Sequence, residues 1–338
     1  MSITTIHAHA VTHQGGAAEP FSYERLLGSQ DVLVKVTHCS IARGDVQFID
    51  NNWGDTRFPL VPGHEIVGLV EAIGSTVSGV TTGDRVGIGY QQSACFSCEF
   101  CRDGYEQLCP EQKVIGVDCY GGVADYIGVD HRFVFPLPPP LDSAKAAPLL
   151  SSGLTVYSGM VKADLREGSD VAVLGIGGLG YLAIQFLREM GHHVSAFSHS
   201  PAKKPMIEQL GATYVDSSDQ GVLTTLRRRF DLILSTLNTT FDLNAYVGLL
   251  KPRGKLCVVA QPLDIVPFSV GLLYDNALRS IYGSYVGSRR DMTAMLAFAA
   301  EHQIESLVDI VPFTDVNRAI ESVRSGSTPV RVVLQRWE

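Results

Sequence analysis

Four cysteines lie close together in the sequence, at Cys95, Cys98, Cys101 and Cys109, with the spacing C-x2-C-x2-C-x7-C. Four thiolates on one short lobe can close a tetrahedral zinc site and leave no coordination position for a substrate. Similar spacings also hold iron–sulfur clusters, so the residues alone leave both metals open. The clustering is more typical of a metal site in a reducing compartment than of a disulfide framework. We therefore predict a structural metal in the lobe around residues 93–110.

A glycine-rich turn follows an apolar run near the middle of the chain, in the stretch VAVLGIGGLG at residues 171–180. Its G-x-G-x-x-G pattern stands between a predicted buried strand and a predicted helix at 181–190, which is the context of a dinucleotide site rather than of a turn without a ligand. Gly175 would permit the tight turn, Gly177 the approach of a pyrophosphate, and Gly180 close packing of helix on strand. The phosphates would lie at the helix N-terminus. The predicted cofactor-binding residues of the turn are Gly175, Gly177, Gly178, Leu179 and Gly180.

Composition narrows the possible functions. The chain has 338 residues, enough for two domains, with 45% hydrophobic and 18% charged residues, as in an ordinary globular protein. A net charge of −8 and the absence of a basic tract argue against nucleic acid as a partner. The N-terminal sequence lacks a signal-peptide pattern, and no apolar stretch reaches the roughly 18 residues of a membrane span. We expect a cytoplasmic protein without a membrane partner.

The elements that must position these residues fall into two parts of the chain, which have different sequence patterns. Residues 1 to about 145 carry short strand-like runs and Gly/Pro turns, which indicate a barrel-like β unit; residues 31–38 (DVLVKVTH) alternate as a half-buried strand does. After the PLPPP segment at 136–140, helical and strand patterns alternate, which predicts a doubly wound α/β domain with a parallel sheet. Its candidate strands are 171–174, 193–197, 230–235, 255–260 and 279–283; helices at 289–302 and 316–325 and a strand at 330–335 follow.

Almost the whole chain resembles the medium-chain, zinc-containing alcohol dehydrogenases, and most of all their cinnamyl alcohol dehydrogenase-like branch. Besides the four cysteines, the matching stretches are PGHEIVG (62–68), GDRVG (83–87), GGVADY (121–126), APLLSSGLTVYS (147–158), GIGGLG (175–180) and GSYVGS (283–288). The resemblance implies a GroES-like β-rich catalytic domain, 1–150 with 287–338, around a Rossmann NADPH-binding domain, 151–286. It also implies structural zinc rather than an iron–sulfur cluster, hydride transfer from a nicotinamide, and a homodimer.

The chain departs from this family at the catalytic zinc, which the family usually holds with a Cys, a His and a second Cys. Alignment on Asp45 and His64 puts Ala42 at the first Cys position, and Ser151 stands at the second. Alanine has no donor atom, and a neutral serine hydroxyl is a poor zinc ligand. Cys39 lies three residues too early, on the preceding strand. We therefore predict that the catalytic zinc is absent.

Without zinc, reduction of a simple aldehyde loses its Lewis acid. Gly44 also replaces the hydroxyl residue that relays the alcohol proton in the family. Zinc-less relatives, such as quinone and enoyl reductases, act on substrates that are already electron-poor. The resemblance thus points to an NADPH-dependent reductase of an activated C=C or C=N in a small molecule, by 1,4-reduction or iminium reduction. The alternatives are a zinc-dependent alcohol dehydrogenase or aldehyde reductase of the cinnamyl type, and a non-enzymatic NADPH-binding protein.

The predicted catalytic residues are His64 and Glu65, which remain from the family's zinc site, with Asp45 beside them in the alignment. Tyr285, in the GSYVGS stretch, is a candidate proton donor. Each also has a plainer interpretation: His64 and Glu65 as a hydrogen-bonded pair that supports the cleft floor, and Tyr285 as an aromatic wall.

The turn after the second Rossmann strand predicts which nicotinamide cofactor binds. NAD enzymes usually carry an acid about 20 residues past the glycines, on the ribose hydroxyls. Residues 196–204 read AFSHSPAKK and contain no acid. The family's NADP-preferring branch has a similar Ser/Thr-rich turn followed by Lys, and an acid there would repel a 2′-phosphate. We predict NADPH, with Ser198, His199 and Lys203 at the phosphate and with Arg43, Thr155, Ser284 and Arg331 as further cofactor-binding residues from their family positions.

Overall fold

The computed structural model describes residues 3–326 and 331–336. The chain folds into two compact units: one combines the residues up to 152 with those from 288 onward, and the other comprises 153–287. Each unit has its own large sheet. Among the described residues, no helix is both long and apolar enough to cross a membrane.

The first unit opens with short strands: β1 (Ile3–Val11), β2 (Ala18–Leu26), β3 (Asp31–Ile41), β4 (Glu65–Ile73), β5 (Arg85–Ile88), β6 (Gln91–Ser93), β7 (Lys113–Val114), β8 (Tyr126–Asp130) and β9 (Val134–Pro136). The helices between and after them are α1 (Arg43–Ile49), α2 (Glu99–Arg102) and α3 (Ser143–Ala146). β1 and β2 form an antiparallel hairpin that the sequence pattern does not predict. Its inward residues Ala8 and Ala10 are buried but small, so the apolar signal of the alternation is weak.

The second unit is a doubly wound α/β domain. Helix α4 (Ser152–Val161) leads into β10 (Asp170–Leu174), α5 (Gly178–Glu189), β11 (His193–Ser198), α6 (Lys204–Gln209), β12 (Thr213–Asp216), α7 (Gln220–Thr225), β13 (Phe230–Ser235), α8 (Leu243–Leu249), β14 (Leu250–Val258), α9 (Gly271–Tyr274) and β15 (Ser280–Gly283). The six strands are parallel in the order β12-β11-β10-β13-β14-β15. This order reverses direction at β10, as in Rossmann domains, and confirms the predicted fold class.

The chain then returns to the first unit through α10 (Arg289–Glu301), β16 (Val308–Pro312), α11 (Val316–Ser325) and β17 (Arg331–Gln335). β17 pairs antiparallel with β3, and the resulting sheet has the order β16-β17-β3-β4-β5-β9, with β8 also on β3. The last strand thereby completes the sheet that the N-terminal segment begins. Residue 330, the predicted first residue of this strand, lies outside the described residues.

The parallel strands agree with the sequence pattern because both of their faces are covered. Val171, Ala172, Val173 and Leu174 of β10 are all fully buried, so the strand reads as a continuous apolar run. Helix α5 begins at Gly178, three residues before its predicted start, because Gly177 occupies the N-cap position and the last glycines of the motif already belong to the helix. Strand β12, at the sheet edge, is short and mostly half-exposed, and the pattern does not predict it.

Candidate active site

Asp45 organises the start of α1 and the loop before β4. Its Oδ2 accepts a hydrogen bond from the N–H of Ala42 at 2.7 Å. Its Oδ1 accepts from the N–H of Gly63 at 2.8 Å and from His64 Nδ1 at 2.9 Å. Burial would raise the pKa of Asp45, but the neighbouring His64 and these hydrogen bonds lower it. Asp45 is therefore an ionised anchor that fixes the imidazole ring and leaves Nε2 as its free nitrogen.

His64 is a buried imidazole between aromatic rings. Tyr90 and Phe48 stand edge-on to it, with ring centroids 5.6 and 6.5 Å from that of His64. Burial alone would lower the pKa of His64, but the charge of Asp45 and its hydrogen bond raise it above the ordinary value. A Cβ atom on Gly44 would lie 3.3 Å from His64 Cε1 and 3.7 Å from Nε2, so the glycine keeps that side of the ring open. The arrangement can donate a proton or a hydrogen bond from Nε2.

Glu65 has different partners from His64. Its Oε1 accepts from the N–H and the Oγ of Ser152, at 3.0 and 2.7 Å, and its Oε2 accepts from Arg331. The same guanidinium donates to Ser40 Oγ at 3.2 Å. The structure thus contradicts the interpretation of His64 and Glu65 as a mutual pair, because successive residues at a strand start point to opposite sides.

Two arginines predicted at the cofactor have partners within the first unit. Arg331 is engaged by Glu65 and Ser40, as described above. Arg43 Nη1 donates to the carbonyl oxygens of Val323 and Arg324, both at 2.8 Å, in the last turn of α11. This contact satisfies carbonyls that a helix C-terminus leaves without partners. Both guanidinium groups are therefore already bound by this unit.

The donors that a catalytic zinc would need are not assembled around His64. Ala42 offers only a methyl group at the N-cap of α1, and Ser151 offers a buried hydroxyl. The Cys39 thiol packs against Gly122, where a Cβ atom would lie 3.2 Å from its sulfur, and burial raises the pKa of this thiol well above its usual value. Within the described residues, only the four-cysteine lobe brings three or more potential ligand side chains together. The residues at His64 do not fit a three-ligand zinc site.

The four cysteines converge as a structural zinc site requires. Their ligand atoms all lie within 4.8 Å of one another, with 3.5 Å between the sulfurs of Cys95 and Cys109 and 4.0 Å between those of Cys95 and Cys101. A tetrahedral zinc with bonds of about 2.3 Å separates its sulfurs by about 3.8 Å. The N–H groups of Ser97 and Cys98 donate to Cys95 Sγ and lower the pKa of this thiol to about 6. Burial raises the pKa of the Cys101 and Cys109 thiols, and a bound zinc would favour their ionisation. The positions of the four sulfurs therefore fit the predicted zinc, which would brace this lobe.

The glycine turn lies at the carboxyl end of β10, where the strand order reverses. Gly175 has φ of +84°, a left-handed conformation that favours glycine. A Cβ atom on Gly180 would overlap the carbonyl oxygen of Gly175, so α5 packs directly on the turn. A Cβ atom on Gly177 would meet nothing within 4 Å. The open space over Gly177, at the N-terminus of α5, fits the pyrophosphate of a dinucleotide.

The predicted phosphate residues follow β11. Ser198 is buried, and its Oγ accepts the N–H of Ser200 at 3.2 Å, whereas His199 is exposed. Lys203 Nζ donates to the carbonyl oxygen of Ile176 at 2.7 Å, so its side chain reaches the glycine turn. Burial lowers the pKa of this lysine. The structure thus brings the lysine and the glycine turn together.

Sequence reasoning missed Thr236, which follows β13. Its Oγ1 donates to the carbonyl oxygens of Leu174 and Gly175, at 3.0 and 2.6 Å, and so fixes the first residue of the glycine turn. The sequence could have indicated Thr236, because the carboxyl ends of neighbouring parallel strands meet at one edge of the sheet.

The remaining predicted site residues of the second unit are Thr155, half-buried in α4; Ser284, whose Oγ accepts from Lys162 Nζ at 3.4 Å; and Tyr285, which is 45% exposed.

The chain has a doubly wound domain with an open glycine turn and a β-rich unit with a lobe of four cysteines. Together these features are typical of two-domain, nicotinamide-dependent oxidoreductases. Two family models match the chain: the alcohol dehydrogenase GroES-like domain at residues 28–139, and the zinc-binding dehydrogenase at 178–301. An aldehyde reductase of Synechocystis sp. is 39% identical over 97% of this chain and 98% of its own length. A probable cinnamyl alcohol dehydrogenase of Oryza sativa is 36% identical over 96% of this chain and 92% of its own length.

Solved structures agree with these relatives. A cinnamyl alcohol dehydrogenase of Sorghum bicolor has a TM-score of 0.94 and 34% identity over 98% of both chains. One from Helicobacter pylori, complexed with NADP(H), has a TM-score of 0.91 and 28% identity over 99% of both chains. The chain belongs to the medium-chain alcohol dehydrogenase family, in its cinnamyl alcohol dehydrogenase-like branch.

Proposed function

We propose that this chain is an NADPH-dependent aldehyde reductase. The observation that carries the proposal is the relative named aldehyde reductase, which is 39% identical over 97% of this chain. The cinnamyl alcohol dehydrogenases among its relatives support the same substrate class. They favour the carbonyl alternative of the sequence analysis over reduction of an activated C=C or C=N.

NADPH, rather than NADH, is the proposed cofactor. The turn after β11 carries no acid that would repel a 2′-phosphate, and Lys203 reaches from it to the carbonyl of Ile176 at 2.7 Å. A lysine in this position is a compact charge that can turn to a bound phosphate. The complex of the Helicobacter pylori relative with NADP(H) supports the same choice.

The chain's own residues would supply what the reaction needs at the substrate oxygen. When bound, NADPH supplies the hydride that forms the new C–H bond. As that bond forms, the C=O pair of electrons moves onto oxygen, which must gain a proton. We assign this role to His64, held by Asp45 at 2.9 Å with Nε2 free. The imidazolium stabilises the developing oxyanion and then gives it the proton. No step is therefore assigned to a metal ion, and the structural zinc of the cysteine lobe takes no part in the reaction.

A second candidate is reduction of an activated C=C or C=N, the function that the sequence analysis favours. Ala42 and Ser151 support it, because a substrate that is already electron-poor needs no Lewis acid. Reduction of a C=C bond then requires a proton at carbon, whereas reduction of an iminium ion requires none. Tyr285 remains the candidate donor for the proton at carbon.

An α,β-unsaturated aldehyde separates the two candidates in one reaction. Cinnamaldehyde with NADPH gives the allylic alcohol if the hydride adds to the carbonyl carbon, and the saturated aldehyde if it adds to the double bond. We expect the allylic alcohol as the main product. Saturated aldehyde as the main product would replace our proposal with the second candidate. If cinnamaldehyde is not turned over, reduction of a cyclic iminium compound with NADPH would support the C=N form of the second candidate, and turnover of neither compound would favour a non-enzymatic NADPH-binding protein.

We also propose that the protein is a homodimer. β15 is an edge strand of the six-stranded sheet, and large apolar side chains near it in sequence are exposed: Ile265 by 91%, Leu278 by 73% and Tyr274 by 71%. An exposed edge beside apolar surface is a template for pairing with another chain. Light scattering should give twice the mass of the 36.6 kDa chain, and the mass of one chain would contradict the proposal.

A cytoplasmic location is proposed on the cysteines. All seven are free thiols, and four of them form the proposed zinc site, which a reducing compartment preserves. Fractionation of cells that express the protein tests this location, and recovery from an oxidising compartment would contradict it.

A further inference from the structure

The glycine turn after β10 depends on neighbouring segments for its shape. Four of the six residues at 175–180 are glycine, which loses more conformational freedom on folding than any other residue. Gly175 must also keep its left-handed φ of +84°. A segment of this composition does not order itself, so contacts from outside the turn must offset the loss of conformational entropy.

Thr236, the residue directly after β13, supplies such a contact through its hydroxyl group. Thr236 Oγ1 lies 2.6 Å from the carbonyl oxygen of Gly175 and 3.0 Å from that of Leu174. The oxygen of Leu174 also accepts the N–H of Thr236 at 3.0 Å. Among the described residues, by contrast, this hydroxyl is the only hydrogen-bond donor to the oxygen of Gly175. Since a hydroxyl has a single proton, the shorter distance directs it to Gly175.

The carbonyl group of Gly175 supports the start of helix α5. A Cβ atom on Gly180 would overlap its oxygen, so the backbone of α5 lies directly against this carbonyl. Leu237 packs on the same residue, because a Cβ atom on Gly175 would lie 2.7 Å from Leu237 Cδ2. Close packing of this kind passes the displacement of one group to the next. A shift of the Gly175 carbonyl would therefore shift the first turn of α5.

The first turn of α5 carries the N–H groups that the pyrophosphate of a dinucleotide would bind. Gly177 is the N-cap residue and makes no side-chain cap hydrogen bond, and the first turn contains no acidic residue. The leading N–H groups of a helix have no partners within the helix, and the helix dipole favours negative charge beside them. They stabilise a phosphate group only where they point to it together, which the shape of the preceding turn decides.

We propose that Thr236 is a positioning residue for the dinucleotide pyrophosphate. Its hydroxyl holds the carbonyl of Gly175, and this carbonyl holds the start of α5 in the orientation that the pyrophosphate needs. This role rests on the proposed use of a nicotinamide dinucleotide by the chain. Because NADPH and NADH share the pyrophosphate, Thr236 acts on the affinity for both, whereas the ammonium group of Lys203 acts on NADPH alone.

Calorimetric titration of the full-length protein with NADPH and with NADH tests this role. Thr236→Val keeps the shape of the side chain and removes the hydroxyl, so we expect Kd for both cofactors to rise about three- to tenfold, as for one lost hydrogen bond. Thr236→Ser restores a hydroxyl and should recover most of the affinity. Thr225→Val is the matched control, because Thr225 Oγ1 donates to the carbonyl oxygen of Val222 at 2.7 Å in helix α7. It should leave both Kd values unchanged.

The titrations contain no substrate, so their outcome does not depend on which bond the enzyme reduces. Unchanged Kd values in Thr236→Val, equal losses of affinity in Thr236→Val and Thr236→Ser, or a rise in Kd for NADPH alone would each overturn the role of the hydroxyl. With aldehyde present, Thr236→Val should raise KM for NADPH and keep kcat within about twofold of the native value. Failure of the native protein to bind either cofactor would refute the proposed function, and the role of Thr236 with it.

Discussion

The protonation of His64 is the property of a single residue that most affects the proposed reaction. Asp45 raises the pKa of His64 above its ordinary value of 6.5, so the ring holds its proton to higher pH than a free histidine. If protonated His64 is the donor, the rate of aldehyde reduction is constant at low pH and falls as pH rises through this raised pKa. Asp45→Asn removes the charge that raises the pKa.

We therefore expect Asp45→Asn to move the descending limb of the pH–rate profile to lower pH, and to reduce kcat at neutral pH by about tenfold or more. Asp309→Asn changes an exposed carboxylate of the same unit and should leave the profile in place. A profile for Asp45→Asn that coincides with that of the native protein would refute the assignment of His64 as donor.

Lys203 determines cofactor choice, if its ammonium binds the 2′-phosphate. Lys203→Ala should raise KM for NADPH by about tenfold, since a hydrogen bond to a charged group is worth about 1.5–3 kcal/mol, with little change for NADH. The neighbouring Lys204 pairs with Glu208 at 3.8 Å, so Lys204→Ala is a matched control. Equal effects of Lys203→Ala on both cofactors would mean that the phosphate site lies elsewhere.

The cysteine lobe is the element whose stability depends most directly on metal. Cys98 is the N-cap of the short helix α2, and four residues of helix do not hold a fold by themselves. Cys98→Ser removes one of four ligands, so the variant should lose its zinc and unfold several degrees below the native protein. Cys119→Ser changes a thiol outside the lobe and should keep the metal. Full zinc content in Cys98→Ser would contradict the four-ligand site.

Elements with a strong local signal could be predicted from the sequence. The buried residues 171–174 of β10 and the glycine turn after them carry the apolar run and the φ requirement in adjacent residues. The hairpin of β1 and β2 could not, because the small residues Ala8 and Ala10 take two of its buried positions and weaken the alternation. The contact between Glu65 and Arg331 could not be predicted either, because 266 residues separate them in sequence and only the pairing of β17 with β3 brings them together.

Ala42 and Ser151, where the chain departs from the family pattern, show the same limit of sequence-based prediction at the candidate active site. The sequence predicts that two zinc donors are missing, at Ala42 and Ser151, but it could not say what His64 contacts. The structure supplies that information: a buried carboxylate holds the imidazole, and Gly44 leaves its outer edge open. The carbonyl-reducing relatives then favour a substrate class that the missing donors alone argue against.

For the whole molecule, we propose that the protein reduces aldehydes with NADPH and holds zinc only in its cysteine lobe. Elemental analysis of the purified, fully active protein tests this claim most directly. We predict about one zinc per chain, with aldehyde reduction unchanged by a chelator that spares the four-thiolate site. Two zinc ions per chain, with activity lost when the second is removed, would contradict the claim and place a catalytic metal at His64.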